Sequence, residues 1–133
     1  MPACKVLVVD DDADDRDILI ETFQQIGVAR VEGVDSAEAA IAFLQAIPAD
    51  QDLPKLIITD LNMPGISGSE LLCGLKQMSR YQHIPVIVCS TSSSPKEMEN
   101  CLASGATDYV TKPSAVSDYV QITHRLNTLV CAE

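Results

Sequence analysis

The sequence predicts an α/β fold: a single doubly wound sheet of five parallel strands with five helices packed on its two faces. Three observations predict it. Five short apolar runs alternate with five stretches of helical periodicity. The central runs are continuous and rich in β-branched residues, as suits strands covered on both faces. The 133 residues, 47% of them hydrophobic, are enough for one domain, 1–133, with a buried core.

The first strand is Val6-Leu7-Val8-Val9. The helix after it carries a stripe of Leu19, Phe23 and Ile26, and Gly27 is placed to end it. The second strand, Arg30-Val31-Glu32-Gly33-Val34, alternates polar and apolar residues, as an edge strand does. Asp35 with Glu38 has the spacing of a capping box before Ala37, Ala40, Ile41 and Leu44. Leu56-Ile57-Ile58 is the third strand, and Ser67 with Glu70 caps the helix bearing Leu71, Leu72 and Leu75. The fourth strand is Val86-Ile87-Val88-Cys89. Ser94-Pro95-Lys96-Glu97 then offers an N-cap, a proline at the first helical position and a glutamate to close the box, with Gly105 as the stop. Tyr109-Val110 is a short fifth strand, suited to the other edge. The last helix starts near Ala115 and buries Tyr119, Ile122, Leu126 and Leu129.

Composition excludes several classes. Nine Lys and Arg against nineteen Asp and Glu give a net charge of -10, which opposes non-specific binding to nucleic acid or to an anionic membrane. No apolar run approaches the ~18 residues of a membrane span, and Met1-Pro2-Ala3-Cys4-Lys5 does not open like a secretory signal. The expected location is cytoplasmic. Five widely spaced cysteines (Cys4, Cys73, Cys89, Cys101, Cys131) without a Cys-x-x-Cys pair give neither a disulfide framework nor a zinc site. His83 and His124 have no second ligand nearby and read as surface or packing residues.

In an open sheet of this kind, ligands sit outside the carboxyl ends of the strands, where strand order reverses. Asp10 and Asp11 follow the first strand, Asp60 the third, Ser90 the fourth and Lys112 the fifth. These five groups are expected to meet in one crevice. Clustered carboxylates repel: a like-charge pair at 4 Å costs ~1 kcal/mol in water and ~4 kcal/mol at an effective dielectric of 20. A cation relieves that cost, and an oxygen-only set with room for water suits Mg²⁺. A metal-bridged carboxylate beside a lysine and a hydroxyl is arranged for phosphoryl transfer. Asp60 is the nucleophile candidate, because it stands alone at the mouth of Leu61-Asn62-Met63-Pro64-Gly65 while the adjacent Asp10 and Asp11 both face the metal.

Four motifs in order carry a family resemblance: Val8-Val9-Asp10-Asp11; Thr59-Asp60-Leu61-Asn62-Met63-Pro64 with Gly68; Pro85-Val86-Ile87-Val88-Cys89-Ser90; and Gly105-Ala106-Thr107-Asp108-Tyr109-Val110-Thr111-Lys112-Pro113. The chain resembles, over essentially its whole length, the CheY-like receiver domain of two-component response regulators, of the stand-alone type. The resemblance implies the sheet order 2-1-3-4-5. It makes Asp60 the phosphoacceptor, and Asp10, Asp11, Asp60 and the backbone carbonyl of Asn62 the ligands of Mg²⁺, with Mn²⁺ as the alternative ion. Ser90 becomes the switch hydroxyl, Tyr109 the aromatic that moves with it, and Lys112 the phosphate-binding lysine. It also implies a cis Lys112–Pro113 peptide. Implied partners are a histidine kinase or phosphotransfer protein and a downstream effector, read through the face of the fourth helix, fifth strand and fifth helix. The domain would catalyse only its own phosphorylation and dephosphorylation. A one-residue slip would make Thr91 the switch, but Pro85 favours Ser90. The run Ser90-Thr91-Ser92 resembles stand-alone receivers paired with phytochrome-type kinases.

Other readings compete. Asp12, Asp14, Asp15 and Asp17 read as a solvated acidic helix start that suits the helix dipole, with metal ligation by Asp12 as the alternative. Asp10-Asp11-Asp12 fits the Asp-x-Asp of haloacid-dehalogenase-like phosphatases with Asp10 as nucleophile, but only Asp118 and Glu133 remain to supply that family's late acidic motif. Asp10, Asp12, Asp14 and Glu21 fall on positions of a helix-loop-helix calcium loop, but Asp15 stands where glycine is needed. A receiver that docks partners without being phosphorylated is the remaining alternative.

Overall fold

The computed structural model describes residues 5–28 and 30–131. Five parallel strands lie in the order β2-β1-β3-β4-β5: β1 (Lys5–Val9), β2 (Arg30–Val34), β3 (Leu56–Thr59), β4 (Val86–Ser90) and β5 (Asp108–Thr111). The helices between them are α1 (Ala13–Gln25), α2 (Ala37–Gln45), α3 (Gly68–Gln77), α4 (Pro95–Ala103) and α5 (Val116–Cys131), with a 3-10 turn at Asp50–Asp52. The two edge strands are the two that the sequence marks as edges. The chain reverses direction across the sheet beside β1, so the loops after β1 and β3 splay apart and leave a crevice.

Strand alternation divides the core into two layers. Val6, Val8, Leu56, Ile58, Ile87, Cys89 and Val110 face Leu19 and Phe23 of α1 and Tyr119 and Leu126 of α5. Leu7, Val9, Ile57, Val86, Val88 and Tyr109 face α2, α3 and α4, meeting Ala40, Leu44, Leu71, Leu72, Leu75 and Cys101. Ile122 is half-buried against the first layer, as expected. Cys4 and the side chains of Leu129 and Cys131 lie outside the described residues. His83 and His124 are exposed.

Helix ends follow local chemistry, with two departures from expectation, and one peptide bond differs as well. Gly27 and Gly105 take φ of 98° and 112°, a left-handed conformation that stops α1 and α4 where the sequence places the stops. Ser67 and Glu70 form the full reciprocal capping box of α3. The Asp35–Glu38 box does not form; Ser36 caps α2 instead, its Oγ accepting from the Ala39 amide at 3.0 Å, because the helix begins one residue later. At α4, Ser94 Oγ accepts from the Glu97 amide at 3.5 Å, but the Glu97 carboxylate takes the Ser92 hydroxyl instead of closing the box. The described residues contain no cis peptide, so Lys112–Pro113 is trans, an outcome the small energy gap of X-Pro bonds allows. Among the described residues no helix is long and apolar enough to cross a membrane.

Candidate functional site

The sheet delivers its functional side chains by strand ends. The Asp10 amide still donates to the Val34 carbonyl at 3.1 Å, and that of Asp60 to Val9 at 2.8 Å, so both aspartates leave the sheet held by ladder bonds. Asp11 follows at the surface. Asp10, Asp11 and Asp60 each present a carboxylate oxygen, and the three oxygens lie within 4.8 Å of one another. Asp10 is only 2% exposed and Asp60 9%. Asp10 Oδ1 accepts from the Asp12 amide at 2.9 Å, and Asp60 Oδ1 from the Leu61 amide at 2.8 Å. The start of α3 presses on the Asp60 backbone: a Cβ on Gly68 would stand 2.0 Å from the Asp60 carbonyl oxygen.

Lys112 enters from the opposite edge. Its amide donates to the Ser90 carbonyl at 2.7 Å, which extends the β4–β5 ladder by one bond. Its ammonium Nζ then lies 2.9 Å from Asp10 Oδ2, 3.5 Å from Asp60 Oδ2 and 2.8 Å from Asp15 Oδ2, with the side chain 7% exposed. Burial raises the Asp10 and Asp60 carboxyls above their ordinary 3.8, against the pull of the Asp12 amide and Lys112 on Asp10 and of Lys112 on Asp60. For Lys112, burial pulls downward, and the hydrogen bonds it donates to Asp15 and Asp10 outweigh it, leaving the ammonium above its usual range. One cation thus serves three carboxylates, Asp10, Asp15 and Asp60, with Asp11 close by, and Asp10 and Asp60 carry a desolvation penalty.

That surplus of negative charge fits a hard divalent cation. The clustered donors are all oxygen, and no softer ligand competes: burial pushes the nearby Cys89 thiol up to about 12, so it stays a protonated hydrophobe. Asn62 sits exposed in the loop after Asp60. Asp12 is not part of the trio. It is the N-cap of α1, its side chain accepting from the Asp14 and Asp15 amides. β1 precedes it where a calcium loop needs a helix, and Asp118 stands exposed on α5.

Ser90 and Tyr109 lie on the α3–α4 side of the sheet. Ser90 is fully buried at the end of β4, its Oγ accepting from the Ser92 amide at 3.2 Å. Tyr109 is turned inward, 5% exposed, and its phenol donates to the Ser92 carbonyl at 2.8 Å. One loop residue therefore joins both.

Sequence reasoning missed Asp15, treated as part of a solvated helix start. A signal was present. Asp15 lies four residues before Leu19, so the inner stripe of α1 extended back by one turn reaches it, and an acid on a core-facing stripe needs a partner.

The model of the family described as the response regulator receiver domain matches residues 6–124. The chain belongs to that family. Its match to the two-component response regulator ARR3 of Arabidopsis thaliana is 37% identical over 119 residues, covering 85% of this chain and 51% of the relative. This receiver domain thus spans about half the length of that protein. The phosphorylated cyanobacterial phytochrome response regulator RcpA is 26% identical with a TM-score of 0.87, over 98% of this chain and 96% of that one. The Mn²⁺-bound form of response regulator Rcp1 is 26% identical with a TM-score of 0.79, over 99% and 97%. The receiver domains of this family are signalling modules of two-component phosphorelays.

Proposed function

We propose that residues 1–133 act as one receiver domain that accepts a phosphoryl group on Asp60 from a histidine kinase or phosphotransfer protein in the cytoplasm. The observation that carries this reading is the meeting of Asp10, Asp11 and Asp60 within 4.8 Å, with the Lys112 ammonium 3.5 Å from Asp60. Asp10, Asp11, Asp60 and the Asn62 carbonyl hold Mg²⁺, or Mn²⁺ in its place. When bound, the ion offsets the carboxylate charge and that of the phosphoryl oxygens.

A carboxylate oxygen of Asp60 forms the new bond to phosphorus as the donor's bond to phosphorus breaks; the donor leaves with the electron pair and takes a proton from water. Lys112 neutralises an oxygen of the transferring group. The Ser90 hydroxyl, today engaged by the Ser92 amide, turns to a phosphoryl oxygen. The loop at Ser92 then moves, and Tyr109, hydrogen-bonded to its carbonyl, follows. The face of α4, β5 and α5, where Leu102, Val116 and Val120 are exposed, changes its affinity for an effector protein. Reversing a 1:99 population requires ~5.5 kcal/mol of differential binding, which sets the scale such a switch must reach.

Incubation of the purified protein with acetyl phosphate, with and without Mg²⁺, tests the reading. The expected product is a metal-dependent, base-labile acyl phosphate that is absent from Asp60→Ala. The same label on Asp60→Ala refutes the assignment of the acceptor. No label on the wild-type protein favours a receiver that only docks.

A further inference from the structure

The site holds a fourth carboxylate that the proposed chemistry does not use. Asp15 lies in the first turn of α1, outside the trio of close acidic oxygens, yet it makes the shortest of the three contacts to Lys112. Side chains in a helix lean toward its N-terminus, so Asp15 reaches back over the turn capped by Asp12 and meets the ammonium from the α1 side. Asp60 engages the same ammonium from the β3 side, at 3.5 Å against 2.8 Å for Asp15. The three contacts compete for one charge.

We infer that Asp15 is a positioning residue: it draws the Lys112 ammonium toward α1 and so holds it 3.5 Å from Asp60, short of close pairing with both Asp10 and Asp60. The inference rests on the reading of Asp10, Asp11 and Asp60 as a cation site. Lys112 is already 2.9 Å from Asp10 and needs only a short movement to pair closely with Asp60. An ammonium seated there screens two carboxylates that a divalent cation needs. Asp15 opposes that movement with a full charge and a short hydrogen bond. Asp15 is 28% exposed in its side chain, so its pull on Lys112 is partly screened by water, which makes the restraint releasable.

The test is a double-mutant cycle read by calorimetric titration with Mg²⁺ alone, on the wild-type protein, Asp15→Asn, Lys112→Ala and the double variant. Asp15→Asn keeps the shape and removes the charge, so the ammonium moves to Asp60 and the Mg²⁺ dissociation constant rises about three- to tenfold. In the Lys112→Ala background the same substitution shifts it by less than about twofold, because the ammonium it restrains is gone. Asp15→Glu, which keeps the charge, stays near the wild-type value. Melting curves by circular dichroism confirm that each variant is folded. An unchanged constant in Asp15→Asn overturns the inference, and so does an equal loss in both backgrounds, which would make Asp15 act on the cation directly. Failure of the wild-type protein to bind Mg²⁺ would instead sink the cation site itself, and the two failures are therefore distinct.

Discussion

At Gly68 one missing carbon atom decides where Asp60 sits. Its position opens α3, and the Gly68 amide donates to the Leu61 carbonyl at 2.9 Å, so the helix start lies directly on the backbone that carries Asp60, the proposed acceptor. A methyl group there would be 2.0 Å from the Asp60 carbonyl oxygen, an overlap with backbone that no rotamer change relieves. Gly68→Ala therefore forces the β3–α3 connection apart. The expected cost is about 2–3 kcal/mol of stability, measurable as a lowered urea midpoint, together with slower phosphorylation of Asp60 by acetyl phosphate. A variant with wild-type midpoint and rate would show that the close approach is not essential.

The elements that carry the site are fixed by their ends as much as by their apolar faces. α3 is the case in point: Ser67 Oγ accepts from the Glu70 amide at 3.2 Å, while Glu70 Oε1 accepts from the Ser67 amide at 3.1 Å. Two of the helix's free amides are satisfied next to the Asp60 loop. Ser67→Ala removes one of these bonds without touching the core, and the expected loss is about 1 kcal/mol in thermal or urea unfolding. Ser67→Asp, which retains an acceptor and suits the helix dipole, should recover most of it. At α4 the corresponding glutamate is diverted to the Ser92 hydroxyl, so the cap is tied to the loop that joins Ser90 to Tyr109.

For the molecule as a whole, the charge surplus of -10 and the buried aspartates act in the same direction. Asp10 and Asp60 have folded-state values above 3.8, chiefly because burial penalises their charged forms. A carboxyl raised in the folded state weakens the fold at pH above its folded value; that penalty is relieved as pH falls through the folded value and is gone below the unfolded one. The metal-free protein should therefore melt at a higher temperature at an acidic pH that reaches these raised values than at pH 7. Mg²⁺ at the proposed site should bind the ionised forms and reverse the ordering, adding about 2.7 kcal/mol at a hundredfold excess over its dissociation constant, with the gain shrinking on acidification. Calorimetric scans at both pH values, with chelator and with Mg²⁺, check this. An equal Mg²⁺ increment at both pH values would place the ion away from Asp10 and Asp60.

What the sequence determined by itself is what local pattern encodes. Continuous β-branched runs made β1, β3 and β4 central, the alternation of Arg30–Val34 made β2 an edge, and glycines 27 and 105 ended helices where expected. Because strand ends in such a sheet are where ligands bind, the meeting of Asp10, Asp11, Asp60 and Lys112 was legible from their offsets alone, as was the place of Ser90 at the end of β4. Other features depended on tertiary geometry. Ser36 displaced Asp35 as a cap because the helix start shifted by a single residue, a margin finer than residue preference resolves. Whether Tyr109 points inward to the Ser92 carbonyl was decided by packing between segments separated along the chain. Asp15 shows the difference most plainly. Its place on the inner stripe of α1 was written in the spacing, but its partner comes from ninety-seven positions away, across the sheet. Only the folded arrangement of β1, β5 and α1 brings that charge to Lys112, since ion pairing depends on distances in space and sequence periodicity reports only which face a residue occupies.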